Sequence, residues 1–420
     1  MHSIDFVRHL INSFSVFYLA MFFVLITVIL EFTSAFYYDP VYYVPKYKDF
    51  LDVQSKLAKK LFDDYDPTLS PVYTWTDIER PIGYDKEGPN RWNYTVFLYY
   101  LKLVEVQEPE EKVSVVMELM EYWTDARLSW NASHYKNTTT FYARQERVWS
   151  PTLTAFGVND ILDFRDQDNR LVCIDQSGFV WNYLSVRISA NCQMDVSRFP
   201  FDTQICQIRF CLPIFYRVQV EVLNEIYKGI MDENIFKTMG NSEWKLINLT
   251  NRVEVLRYND NMGNMDLAIF EITIRRNPLY YIYMIVFPSF IINFVSIVGV
   301  FLNGADKMSR LNVGLTNIMT MTFILGVMAD KIPRTGNIPL LGIYIIINLV
   351  IMLIAIAIVT AITELRRWAT PKLRMKKTAL RAQMEIFLGP PLEYTCAIIL
   401  ELMTCANFLV MVGLWFDDGL

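Results

Sequence analysis

The stretch CQMDVSRFPFDTQIC, residues 192–206, sets a cysteine at each end of fifteen residues whose middle reads Phe199-Pro200-Phe201-Asp202. Loops run over the surface and are usually polar. An apolar tip therefore predicts a greasy surface against which this loop is pressed. The composition says where such a surface comes from: 53% of the 420 residues are hydrophobic and only 20% are charged, a balance that points to membrane. The net charge of -5 comes with no basic excess in the first two-thirds, which argues against nucleic acid as a partner. After the first ten residues His134 is the only histidine, and no two cysteines have C-x-x-C spacing. A metal site, a cofactor or a histidine-based catalytic centre has almost no material, and there is no phosphate loop or nucleophile elbow. The reading is of a protein that is not an enzyme.

Four apolar runs near the C-terminus, about 279–302, 310–329, 338–362 and 393–416, are each long enough to cross a bilayer roughly 30 Å thick. The link of about 363–392 carries Arg366, Arg367, Lys372, Arg374, Lys376, Lys377 and Arg381, with no acid from 365 to 384. Positive loops stay inside, so this link is expected to be cytoplasmic. Three crossings back, residues 36–278 are then outside. The N-terminus agrees: Arg8 and His9, an apolar run to Leu30 and Thr33-Ser34-Ala35 read as a signal peptide over 1–35, with an uncleaved anchor as the alternative. Four N-x-S/T sequons, at Asn93, Asn131, Asn137 and Asn248, all precede residue 279, as glycosylation of an exterior domain requires. An oxidising exterior would also let Cys192 and Cys206 join.

The second run is interrupted by polar residues on one side: Asn312, Thr316, Met319 and Phe323 recur at spacings of four, three and four, one face of a helix. Copies of this helix around an axis would turn that face to water and make a pore. The alternative is packing against sister helices. Upstream, Phe50, Val53, Leu57 and Leu61 form one stripe of a short amphipathic helix. From about 94 to 275, short runs rich in Val, Ile, Tyr, Phe and Trp alternate with turn-rich stretches. This predicts an antiparallel, immunoglobulin-like β-sandwich, running into the first span without a linker.

Cysteines around Phe-Pro-Phe-Asp, then RRNPL (275–279), then four spans with a polar second helix, resemble a Cys-loop receptor subunit, a pentameric ligand-gated ion channel, of the invertebrate type. LFDDYDPTLSPV (61–72), WTDARLSWN (123–131) and VWSPTLTAF (148–156) are similar to further family segments in the family's order, although Thr152 stands where the family has Asp. The resemblance implies a homo- or hetero-pentamer in a plasma membrane, postsynaptic, in contact with lipid and inorganic ions. A small amine or amino-acid neurotransmitter would bind between exterior domains and open a central pore. It implies that the loop of 192–206 lies at the membrane surface, that Asp202 pairs with Arg276, and that the Phe199–Pro200 bond is cis. Read without the family, Arg275 and Arg276 are only a basic flank.

For the ligand, the resemblance points to Trp123, Phe156, Phe215 and Tyr258, rings of the kind that attract an ammonium. The cage is incomplete, since Pro213 and Met265 fall where many members carry an aromatic ring. For the ion, FLNGADKMSR (301–310) has the length of anion-selective relatives, with Arg310 in the basic position and Ser309 in place of a glutamate ring, against Met308 for proline and a nearby Asp306. The expectation is chloride conduction. The alternatives are cation selectivity, a non-conducting accessory subunit or a membrane-anchored binding receptor. Glu401 has no assigned partner, and a Cys173–Cys211 bridge is left open.

Overall fold

The computed structural model describes residues 40–72, 91–257, 263–302, 306–333, 336–373 and 390–418. The expected signal peptide, Tyr258 and residues 374–389 of the basic link lie outside them. The described chain opens with helix α1 (Pro40–Phe62), then strands β1 (Trp92–Gln107), β2 (Lys112–Thr124), β3 (Thr140–Arg144), β4 (Thr154–Phe156), β5 (Val158–Asp163), β6 (Leu171–Asp175), β7 (Phe179–Asn191), β8 (Thr203–Cys211) and β9 (Val220–Ile226). The short helix α2 (Glu233–Thr238) precedes β10 (Trp244–Leu256) and β11 (Met265–Arg276).

Two sheets form a sandwich: seven strands ordered β3-β6-β7-β2-β1-β9, with β5 also on β7, and four ordered β10-β11-β8-β4. In β1, Tyr94, Val96 and Leu98 are buried, then Leu101 and Leu103. The change from even to odd follows the register shift between Leu98 and Tyr100, since one extra residue turns every later side chain over. The inner faces meet over Met117, Leu119, Ile188, Ile208, Phe210, Phe270 and Ile272, each 3% exposed or less. Each large side chain so buried contributes about 1.5–3 kcal/mol. One pairing departs from the antiparallel expectation: β9 runs parallel to β1. The chain reaches β9 from β8 in the other sheet, so no hairpin fixes its direction. In α1, Leu57 and Leu61 are buried, whereas Phe50 is 53% exposed, so the expected stripe holds only in its last turns.

Four helices follow that are long and apolar enough to cross a membrane: α3 (Leu279–Phe301), α4 (Lys307–Ala329), α5 (Leu340–Leu373) and α6 (Pro390–Asp418). α4 has the lowest mean hydropathy, 1.5 against 2.1 to 3.1 in the others, because of its polar residues. α3 widens into a π turn at Ile282–Val286, directly before Pro288, whose missing N–H cannot continue the ordinary ladder. α5 starts just after Pro339, two residues later than expected, and runs eleven residues past 362 into the basic link.

Candidate functional site

The β domain meets the helices around Arg276, the last residue of β11. Its side chain is fully buried, with Nε 2.8 Å from Asp202 Oδ1 and Nη1 2.8 Å from Glu108 Oε1 and 2.6 Å from Glu243 Oε1. The guanidinium also lies over the rings of Trp244 at 4.1 Å and Phe199 at 4.8 Å, where ring faces attract a desolvated cation. Burial alone would weaken its hold on the proton, but the charges of Asp202 and Glu108 more than reverse this, so Arg276 holds its proton more tightly than usual. Asp202 is fixed in turn by Gln204, whose Nε2 donates to Oδ2 at 2.7 Å.

The disulfide Cys192–Cys206, with Cα atoms 5.1 Å apart, closes the loop that carries Asp202. Its Phe199–Pro200 bond is cis. Phe199 and Phe201 are 2% and 6% exposed, and Phe199 packs edge-on against Tyr281 of α3 at 4.7 Å. A helix start leaves four N–H groups without partners inside the helix. At α5 the loop supplies two of them: Leu340 N donates to Ser197 O at 3.0 Å and Leu341 N to Phe199 O at 3.1 Å. The apolar tip is thus pressed on helix ends and caps one of them.

On α4, Gly314, Asn317, Met321 and Met328 are buried against the other helices. A Cβ on Gly314 would meet Ile356 Cδ1 at 2.5 Å, so this glycine permits the close approach of α5. The opposite face is uncovered: Asn312 and Thr316 are exposed, and Met319 and Phe323 are 73% and 71% exposed. Ser309, Val313 and Val327 widen it. The Thr316 hydroxyl also bonds its own helix, donating to Asn312 O at 2.8 Å.

At the start of α4 the charges sort themselves. Lys307 pairs with Glu364 of α5 at 2.6 Å. Arg310, 11% exposed, turns off the uncovered face toward the buried Glu393 of α6, at 3.6 Å. Arg310, expected at a pore mouth, is drawn inward within this chain by a carboxylate buried among the helices. Asp306 is exposed and, among the described residues, carries no ion pair.

Within a single chain the expected ligand rings lie apart, on separate parts of the β domain. Trp123 is 1% exposed and sits inside the sandwich, because β2 alternates and odd positions point inward. Phe215 lies edge-on to Trp149 at 6.2 Å, half-buried. Phe156 is 40% exposed at the rim of a groove of about 780 Å³ beside the disulfide loop. Among the described residues no ring contact joins these three. A different set does meet, on the outer face of the seven-stranded sheet. Tyr122 stacks on Phe179 at 5.6 Å and touches Phe97 at 5.9 Å, Phe179 meets Trp181 at 6.0 Å, and Tyr99 stacks on Tyr227 at 5.0 Å. One carboxylate, Glu225, stands beside Tyr122, and a second, Glu118, beside Tyr183 on the same sheet. Burial and then the charge of Glu225 raise the Tyr122 hydroxyl pKa, and burial and then Glu118 raise that of Tyr183. Rings with carboxylates beside them form a surface for an organic cation. Adjacent aromatics at Tyr122 and Trp123 were the sequence signal, and strand parity decides between them.

Cys173 and Cys211 are free and buried in different sheets, so no second bridge forms. All four sequon asparagines are exposed. Both carboxylate oxygens of Glu401 are buried without a hydrogen-bond partner, beside an apolar groove of about 450 Å³ between α3 and α6.

Comparison with known proteins agrees with this architecture. The family profile of the neurotransmitter-gated ion-channel ligand binding domain matches residues 54–278, and that of the neurotransmitter-gated ion-channel transmembrane region matches 285–389. The 5-hydroxytryptamine receptor 3A of Cavia porcellus is 25% identical over 308 residues, covering 72% of this chain and 59% of that protein. The proton-gated ion channel subunit pbo-6 of Caenorhabditis elegans is 25% identical over 268 residues, covering 63% and 61%. The neuronal acetylcholine receptor subunit alpha-3 of Bos taurus is 24% identical over 308 residues, covering 73% and 58%. The chain thus spans about three-fifths of the length of these relatives. With both profiles matched in order over most of its length, the chain belongs to the neurotransmitter-gated ion-channel family, a family of ligand-gated channels and not of enzymes.

Proposed function

We propose that this chain is a subunit of a pentameric ligand-gated ion channel, in a postsynaptic plasma membrane, with the β domain outside and glycosylated at its sequons. The observation that carries the reading is the two-sided character of α4: one face is packed on its own subunit, and the face bearing Asn312 and Thr316 is left for water in a ring of copies. A small organic cation binding at the ring-and-carboxylate face of one β domain, closed over by its neighbour, opens the pore. Its binding is passed through Asp202 and Arg276 and through the loop that caps α5.

The permeant ion is a cation. Five copies of Asp306 put negative charge at the mouth, while Lys307 and Arg310 are held by Glu364 and Glu393. Chloride conduction is the second reading, favoured by Ser309 in place of a glutamate ring. A transmitter panel on oocytes expressing the chain, alone and with sister subunits, tests both. A reversal potential that follows sodium supports the cation reading, and one that follows chloride replaces it. Surface protein that stays silent in every combination rejects the channel and leaves a binding receptor or an accessory subunit.

A further inference from the structure

At mid-depth in the helical domain, side-chain amides from all four helices meet at one buried point. Asn317, on the packed face of α4, donates through Nδ2 to Asn293 Oδ1 of α3 at 3.1 Å. Asn293 Nδ2 faces Asn348 Oδ1 of α5 at 3.5 Å and Thr404 Oγ1 of α6 at 3.4 Å. Asn407 of α6 donates to Asn348 Oδ1 at 3.0 Å and to Tyr344 O at 3.1 Å. Asn293, Asn317, Asn348 and Thr404 are 2% exposed or less. Polar side chains are costly in the membrane interior and tend to bond across helices there.

Two groups at this point are left over, and they are complementary: Asn317 Oδ1 is a buried acceptor without a donor, and Asn348 Nδ2 is a buried donor without an acceptor. Both amides are already bonded to Asn293. A small shift of α4 from α3 toward α5 would exchange the Asn317–Asn293 bond for an Asn348–Asn317 bond, leaving two unpaired groups, Asn317 Nδ2 and Asn293 Oδ1, in place of the two present now. That is a discrete element with two bonded arrangements, the physical requirement for coupling between separate helices.

We propose that Asn293, Asn317, Asn348, Thr404 and Asn407 form a two-position clasp that sets the balance between closed and open placements of α4, and through which the peripheral helix α6 biases the pore helix. Asn317 and Asn407 are positioning residues in this scheme, since neither lies on the uncovered face of α4. The inference rests on the channel reading.

The test is a double-substitution cycle between Asn317 and Asn407, which do not bond each other, in the full-length assembly. Asn317→Leu, Asn407→Leu and the pair are compared by the agonist concentration for half-maximal current at matched surface level, and by the thermal midpoint of the purified assembly. Bonds between membrane helices support a shift of about three- to twentyfold per substitution. The pair is expected to shift the agonist concentration by clearly less than the product of the two single shifts. Should Asn317→Leu fail to reach the surface, Asn317→Ala is read in the same way. Wild-type currents with independent, multiplicative shifts, or with no shift, overturn the clasp and leave the channel standing. A silent wild-type assembly overturns the gating role together with the channel reading, even if the cycle remains non-additive in the thermal midpoint.

Discussion

Replacing Arg276 by alanine removes the charge that three carboxylates share. Glu243 is 42% exposed and can turn to water, so it adds little to the cost. Asp202 cannot, because its side chain is 1% exposed and keeps only Gln204 as a side-chain partner. A buried charge stranded by loss of its partner costs about 3–5 kcal/mol. Loss of the cation over Trp244 and Phe199 acts in the same direction. Against a domain stability of about 5–15 kcal/mol, Arg276→Ala should leave little of the assembled protein at the surface. The double variant Arg276→Gln with Asp202→Asn, which removes the fully buried carboxylate together with the cation but leaves Glu108, 15% exposed, and Glu243 without a partner, should recover part of it. Surface biotinylation and thermal melting of the purified assembly read both. If Arg276→Ala loses less than about 1 kcal/mol, the level of an exposed pair, the cluster is not what joins the two domains.

Other consequences follow from particular side chains. Trp181→Ala should raise the agonist concentration for half-maximal response about 30-fold, the equivalent of a desolvated cation–ring contact, whereas Trp123→Phe should lower expression and leave that concentration unchanged. The reverse pattern in concentration–response curves would return the ligand to Trp123. Asp306→Lys should move the reversal potential away from that of sodium, and an unmoved potential would take Asp306 out of the mouth. Burial raises the Glu121 carboxyl above the ordinary carboxylate range, although Tyr94 and Asn182 hydrogen-bond to it and pull it back in part. The folded state then holds this proton more tightly than the unfolded one, so the penalty is absent in acid. It grows as pH rises through the ordinary carboxylate range toward the raised folded-state value. Glu121→Gln should flatten that fall in melting temperature, and an unchanged slope would show that Glu121 binds its proton equally well folded and unfolded.

The parts of this molecule legible in the sequence are those that depend on sums or on near neighbours. Membrane spans come from hydropathy added over about twenty residues, so four apolar runs matching α3 to α6 are legible, although α5 runs on past 362 into the basic link. The face of α4 comes from a period within one helix. The disulfide loop with Asp202, and Arg276 beyond it, is legible through a family resemblance that spans both. What was not legible depends on partners far along the chain or on parity. Tyr122 and Trp123 are both aromatic, so alternation alone cannot say which points outward; the pairing of β2 with β1 and β7 decides it. Arg310 reads as a free basic residue until Glu393, in another helix, turns it inward. The amide cluster was invisible for the same reason, since Asn293, Asn317, Asn348 and Asn407 lie on four helices and no period links them. The parallel pairing of β9 with β1 departs from a purely antiparallel sandwich because sequence carries no record of which sheet a strand leaves.

The central claim is that the face of α4 bearing Asn312 and Thr316 lines a water-filled path. Its most direct test is Thr316→Cys, with a charged, membrane-impermeant thiol reagent applied while agonist holds the channel open and with currents recorded from the same cell. The account predicts that the current changes irreversibly, faster with agonist than without it, and that the wild type is unaffected. A Thr316→Cys channel that conducts normally and stays indifferent to the reagent in both states would contradict it.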